Sequence, residues 1–588
     1  MNNIPNKTVN NNIAPPPYGY DPQTGKPRYF PPYQVPPPPP IVKGNAFDTV
    51  FMVFSLIFSI FSVHAVFFAG FFKAGFTAAY VIWFIIANIY IFTKNKFKFS
   101  LYALILGLMS LGASAVFALY NDEVINLLLL AIIGFSSAEY FMLLTKQNSY
   151  SSKTVASLFD AAYYLFVSPF KFIKEPFRSA FASKDGKTSR IKEVLIGIII
   201  AVPVAAVVIG LLISSDFAFQ GLVNKLFSNI ALTLVKLVLG VLVFPIMLSG
   251  AFAARHNLIK QRRGKSTLSR EGIKKIPPTA LATVLGTVSF VYLVYLFSQL
   301  AYFFDAFKSI LPEDYSASEY ARRGFFEMCA ICAINLIFIS VVMLFARNKS
   351  KKSDIIFKVF NTFIALFSLV IAASAFSKMY LYIDMYGLTR KRVLTSVFIL
   401  LLSVVIVSLI FRIFIKNFPY MKVIAVLCSL IVIGVGYTDI DRTVTKYNYE
   451  LWQSKAVKSI DGGFMEELGD SAAPYIEKFE KSGDKDLQKY AQIWISALWE
   501  EQNYSDWSGE FKDKKTASVF SYNKATNQAT AIADKYNKEN DFEYYWSYLN
   551  ENEIWDESPD GKYSKPYYLQ KNPNYQYESE EVEDTYGG

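Results

Sequence analysis

The sequence predicts an all-α fold: a polytopic transmembrane bundle of about eleven helices, followed by an extracytoplasmic α-helical domain at the C-terminus. Three observations carry this. The 588 residues are 53% hydrophobic with a positive mean hydropathy of +0.27, more apolar than a soluble chain of this length. Successive long apolar runs are separated by short charged stretches, and about 20 apolar residues suffice to cross some 30 Å of hydrocarbon as a helix. A helix is the default there, because every backbone polar group must be paired within its own segment. The charge is also divided. Residues 438–588 carry 17 Lys+Arg against 30 Asp+Glu, while residues 1–437 carry 42 against 18.

Residues 1–46 hold 13 of the 25 prolines. Such a segment cannot build a packed core and predicts a disordered cytoplasmic tail of polyproline II character. Pro15–Tyr18 and Phe30–Tyr33 are similar to ligands of aromatic grooves, so one reading gives the tail a protein partner and the other gives it none. The first apolar run follows more than 40 polar residues, so no signal peptide is expected.

Apolar runs occupy 48–72, 74–93, 99–120, 124–145, 193–215, 228–252, 279–304, 324–346, 354–378, 392–415 and 420–437. The first four form an N-terminal group, 47–145, and the rest a seven-helix core, 193–437. Loops from even to odd runs are basic: Lys94, Lys96 and Lys98; nine Lys and Arg in 146–192; eight in 255–275; Arg347, Lys349, Lys351 and Lys352; Arg412, Lys416 and Lys422. All lie on one side, which the positive-inside rule makes cytoplasmic. The protein is then a multi-pass protein of a bacterial plasma membrane, with its N-terminus inside and its C-terminal domain outside. Basic loops of this kind are topology signals and imply no nucleic acid.

Residues 146–192 interleave aromatics with Lys171, Lys174 and Arg178, and predict a segment lying in the inner interface; a helical hairpin packed on itself is the alternative. Residues 438–550 show helical periodicity broken by Gly and Pro and predict a soluble acidic domain of short helix pairs. The acidic, Tyr-rich residues 551–588 predict a disordered tail.

Polar residues within the runs are candidates for function, because charge in hydrocarbon is costly. Lys236 lies about eight residues into its run, roughly 12 Å deep, and Asp216 is its nearest candidate partner in sequence; snorkelling of the lysine is the alternative. Glu139 is placed to reach headgroups. Asn335 and Asn361 suit interhelical hydrogen bonds. Cys329 and Cys332 read as small residues on one helix face, since no second pair or His partner accompanies them. His64 and His256 give little support to a metal or acid–base site. No phosphate-binding loop, metal-ligand cluster or nucleophile elbow occurs, so no cofactor, metal or catalytic residue is assigned.

One stretch runs against the charge pattern. "MYGLTRKRV" (385–393) places Arg390, Lys391 and Arg392 at the outer mouth of a helix. Arg322 and Arg323 begin another helix on that side, beside Glu327. These cations can bind outer-leaflet phosphates, dock the acidic C-terminal domain, or hold an anionic ligand through Arg forks.

The strings "ISSDFAF" (213–219), "YARRGFFEM" (320–328), "LYIDMYGLTRKRV" (381–393), "YNYELW" (447–452) and "LGDSAAP" (468–474) occur in that order. Together they resemble a bacterial family of multi-pass membrane proteins, the domain of unknown function 4173, related to 4153. The resemblance covers roughly 195–500 and leaves out the first four helices and both tails. Lys391 and Leu451 depart from the family's pattern. The resemblance implies a membrane helix bundle and brings no activity.

Three classes of function remain open. The preferred one is a non-enzymatic membrane protein that recognises an anionic lipid, an anionic envelope component or a partner protein at its outer face. A transporter or channel would use Lys236 and Asp216 on its path. An enzyme acting on a lipid-linked substrate would need an acid–base pair that the sequence does not display.

Overall fold

The structure, a computed structural model, describes residues 19–20, 27–28, 42, 44–68, 72–94, 100–181, 197, 200–205, 207–212, 230–263, 276–307, 317–345, 350–455, 462–503 and 521–540. The fold is all-helical apart from one two-residue antiparallel pairing, β1 (Gly19–Tyr20) with β2 (Pro27–Arg28). Most of the Pro-rich tail, the groove-ligand strings, Asp216 and the acidic end lie outside the described residues.

Nine helices among the described residues are long and apolar enough to cross a membrane. They are α1 (Ala46–Val63, extended by a π-helical turn to Phe68), α2 (Ala74–Phe92), α4 (Glu123–Leu144), α8 (Ile230–Arg255), α10 (Pro278–Phe307), α11 (Ala317–Phe345), α12 (Lys351–Tyr386), α13 (Arg390–Phe414) and α14 (Tyr420–Thr438). Two of the eleven runs are not among these nine. Of the 193–215 run, the structure describes only residue 197 and helix within Ile200–Leu212. The 99–120 run gives α3 (Leu101–Val116), of 16 residues, or about 24 Å. A turn over Phe117–Leu119 stops it. The carbonyls of Phe117, Ala118 and Leu119 accept instead from Asn523 Nδ2 (3.1 Å), Lys524 N (3.1 Å) and Ala525 N (3.0 Å). The chain's last described segment therefore satisfies groups that a continuing helix would have used.

Between α4 and α8 lie α5 (Ser157–Ala162), a π-helical stretch (Tyr163–Val167), α6 (Ser168–Lys171) and α7 (Glu175–Phe181). This segment is packed onto the bundle. Phe172 is fully buried, and Ser249 Oγ of α8 donates to Pro169 O at 2.6 Å. Phe159, Phe166 and Phe170 remain exposed, the apolar face required by a segment lying in an interface. After α8 come α9 (Leu258–Arg263) and, past α14, α15 (Ile440–Gln453), α16 (Ala473–Glu480), α17 (Lys485–Asn503) and α18 (Lys524–Asn540).

Three principal cores result. Phe51, Tyr90, Phe141 and Phe244 join α1, α2, α4 and α8. Met328, Cys332, Ile364, Phe367 and Ile406 join α11, α12 and α13, with Leu281 and Leu285 of α10. The third runs without a break from Val116, Leu129 and Val432 of the bundle to Val444, Ile476, Leu487 and Ala529 of α15–α18. The C-terminal helices thus share a core with the bundle.

The ends of the bundle are chemically distinct. At one end Asp48 of α1 meets Arg255 and His256 at the end of α8, and Lys94 after α2 meets His256. The other end gathers Asp122, Arg390, Asp441 and the C-terminal helices. The start of α1 and the C-terminal helices therefore lie at opposite ends.

Candidate functional site

The turn between α12 and α13 is built by its sequence. Gly387 has φ +76° and ψ −171°, a conformation essentially open to glycine alone that costs other residues roughly 1–3 kcal/mol, and a Cβ there would lie 2.7 Å from Asn448 Oδ1. Thr389 caps α13, its Oγ1 accepting from Arg392 N. Arg392 then folds back, donating to the Tyr386 and Gly387 carbonyls, with its guanidinium 3.9 Å from the centre of the Tyr382 ring. It completes the end of α12, whose last carbonyls lack intrahelical donors.

Arg390 is thereby aimed at the C-terminal helices. Its Nη2 is 3.0 Å from Asp122 Oδ2 and its Nε 3.8 Å from Asp441 Oδ1. Its Nη1 donates to Glu467 O at 3.2 Å. Lys391 pairs with the Glu467 carboxylate at the surface. Asp441 and Asn448 share one face of α15, seven residues apart. Asn448 grips the turn with both ends of its amide: Oδ1 accepts from Leu388 N and Nδ2 donates to Leu388 O, each at 2.8 Å. Gly469 N donates to Asp441 Oδ2 at 2.9 Å, and a Cβ on Gly469 would meet that same oxygen at 2.9 Å. Three strings, 381–393, 447–452 and 468–474, far apart in sequence, therefore meet at one junction.

The electrostatics are tense. Burial pushes the Asp441 carboxyl up to about 6, with Asp122 and Asp439 adding to the rise while Arg390 and Gly469 N–H oppose it. The Asp439 carboxyl is also raised by burial. The space among Asp122, Asn126, Asp439, Asp441 and Ser471 is about 10 Å³, which accommodates no more than about one water. A phosphate does not fit.

The remaining sequence candidates are scattered. Arg322 and Arg323 are exposed on α11, and Arg323 pairs with Glu327 of the same helix at 3.1 Å. Lys236 sits 4.9 Å from the centre of the Phe68 ring, a cation–π contact that accommodates its charge; Asp216 lies outside the described residues. Asn335 accepts from Tyr292 OH at 2.7 Å and donates to Ser368 Oγ at 2.8 Å. Cys332 is buried in a helix contact. Glu139, expected from sequence to reach the headgroups, accepts from Tyr102 OH at 3.2 Å and is half-buried.

Sequence reasoning missed one buried cluster. Asp48 accepts from Tyr90 OH (2.8 Å), lies 3.0 Å from Arg255 Nε and 3.1 Å from His256 Nε2, and its Oδ2 caps Asn45 N (3.0 Å). Lys94 Nζ is 2.8 Å from His256 Nδ1. Arg255 and His256 belong to the run read as a basic loop, yet both are buried. The only signal was a lone Asp at the mouth of an apolar run, with partners some 200 residues away.

A family model described as a domain of unknown function, DUF4153, matches residues 79–479. The chain belongs to that family. The DUF4153 match begins within α2, so the family covers most of the N-terminal helices that the sequence strings had left out. It ends in α16, enclosing the Arg390 junction and leaving α17 and α18 beyond it. No curated protein and no solved structure matches the chain.

Proposed function

We propose that this DUF4153 protein is a non-enzymatic protein of a bacterial plasma membrane that presents its C-terminal helices outside the cell as a recognition surface for a partner protein. The N-terminal tail is cytoplasmic on this reading. The observation that carries it is Arg390, which ties α13 to Asp122 and Asp441 where bundle and C-terminal helices share a core. The three cations of the 385–393 stretch are engaged within the protein: Arg390 by carboxylates, Lys391 by Glu467, Arg392 by carbonyls and Tyr382. Recognition then falls to the C-terminal helices themselves. A unit held rigid before binding loses less conformational entropy when its partner arrives.

Two experiments test this. With native cysteines replaced, Lys485→Cys should react with an impermeant maleimide in intact cells while Lys352→Cys should not; the reverse labelling refutes the orientation. Cross-linking from Lys485→Cys followed by mild-detergent capture should yield one reproducible partner, lost in Arg390→Glu. Labelling of the outer site without a partner that depends on Arg390 refutes the recognition role.

A further inference from the structure

A second feature lies at the opposite end of the bundle, between the start of α12, the end of α13 and the loop after α4. It is a cavity of about 1100 Å³, above the roughly 300–1,000 Å³ usual for small-molecule sites. Its wall carries Lys153, Lys351, Lys358, Arg412 and Lys416 against a single carboxylate, Asp354. Asp354 is 3.0 Å from Lys358. Among the described residues Lys153, Lys351 and Lys416 make no ion pair. The positive-inside rule explains cations near helix ends but not their convergence on one concave wall.

The wall is built, not incidental. Buried Asp160 accepts from Ser149 N and Tyr150 N, each at 2.8 Å, and so fixes the loop that carries Lys153. Arg412 donates to the carbonyls of Ile415 and Lys416, holding the turn that follows α13. Ser350 caps α12 at Ser353 N, which places the positive end of a 36-residue helix at the cavity, a position that favours anions. Buried Asn361 lines the same space.

We infer that this cleft binds a phosphate-bearing anion, such as a glycerophosphate headgroup of an anionic lipid or a free phosphate ester. The lysines and Arg412 hold the phosphate by charge. The site does not depend on the recognition role of the C-terminal helices, and it stands for either orientation of the chain.

The test uses the full chain in neutral detergent. Native mass spectrometry measures retention of phosphatidylglycerol against phosphatidylcholine. Phosphatidylglycerol should bind at least about tenfold more tightly. Lys351→Gln with Lys416→Gln should weaken it about 25-fold, taking about fivefold per cation near an anionic surface. Lys171→Gln with Lys174→Gln removes the same charge from the same end of the bundle and should change binding less than about twofold. Lys416→Arg keeps the charge and should retain binding, which separates loss of a ligand from loss of folding. Glycerol phosphate as competitor then assigns the source. Displacement of the lipid identifies a site for free phosphate esters; no displacement identifies a lipid site. Equal retention of the two lipids without glycerol phosphate binding overturns the inference, as does a control pair that loses as much as the cleft pair.

Discussion

Replacing Arg390 with Met removes the cation that lies between Asp122 and Asp441. The Asp441 side chain is 3% exposed and that of Arg390 20%. Breaking a fully buried ion pair by deleting one partner costs roughly 3–5 kcal/mol. Arg390 is partly solvated and its Asp441 contact is long, so the expected cost is about 2 kcal/mol, or about 30-fold in the equilibrium between docked and undocked C-terminal helices. The sign with pH follows from Asp441. Its carboxyl titrates at about 6 in the docked state against 3.8 when free. The docked state therefore binds the extra proton between those values. Docking is strongest near pH 4 and weakens as pH rises through 6, by about 3 kcal/mol in all. Arg390 opposes that rise, so its loss should hurt more at pH 8 than at pH 5. Pulse proteolysis of proteoliposomes at the two pH values measures this. Arg390→Met should be cut about 30-fold faster than wild type at pH 8 and less than about tenfold faster at pH 5. Asp441→Asn in the Arg390→Met background should recover most of the loss at pH 8. If Arg390→Met digests like wild type at both pH values, or if Asp441→Asn brings no relief, the ion pair does not hold the helices.

Three further outcomes are expected. Asn448→Leu leaves the Leu388 N–H and C=O without their partners and should lower stability by about 2–4 kcal/mol, read as an earlier thermal aggregation midpoint in detergent. Asp48→Asn strips the buried Arg255 of its counter-charge and should cost about 3–5 kcal/mol, read as lost folded yield; Asp48→Leu with Arg255→Met should recover much of it. Lys391→Gln breaks an exposed pair with Glu467 and should change protease sensitivity by less than about 1 kcal/mol, which contrasts it with its neighbour Arg390.

The membrane helices were legible because apolar runs depend on composition alone. The Arg390 junction was partly legible, since cations against the charge bias and an acidic region nearby in sequence already suggested one another. Their actual attachment was not. The carbonyls of Phe117–Leu119 meet a segment some 400 residues later, and Asn448 meets Leu388 backbone atoms that have no sequence signature. Arg255 and His256 looked like loop cations because a one-dimensional reading cannot see Asp48 beneath them. Lys351, Arg412 and Lys416 were legible as topology markers, while the concavity they share exists only once α12 and α13 are packed side by side. The Glu139 contact was hidden for the same reason: its distance from a helix end was known, but Tyr102 was not known to face it.

α12 runs without interruption from Lys351 to Tyr386, about 54 Å at 1.5 Å per residue. That is nearly twice the hydrocarbon thickness of a bilayer, so both ends stand clear of it. One end forms part of the basic cleft and the other enters the Gly387 turn that Asn448 grips. A stiff rod of this length behaves as a lever. Rocking it by 5° about its centre displaces each end by about 2 Å in opposite directions, enough to break a 2.8 Å hydrogen bond at the turn. The basic cleft and the turn that Asn448 grips are thus the two ends of one continuous helix.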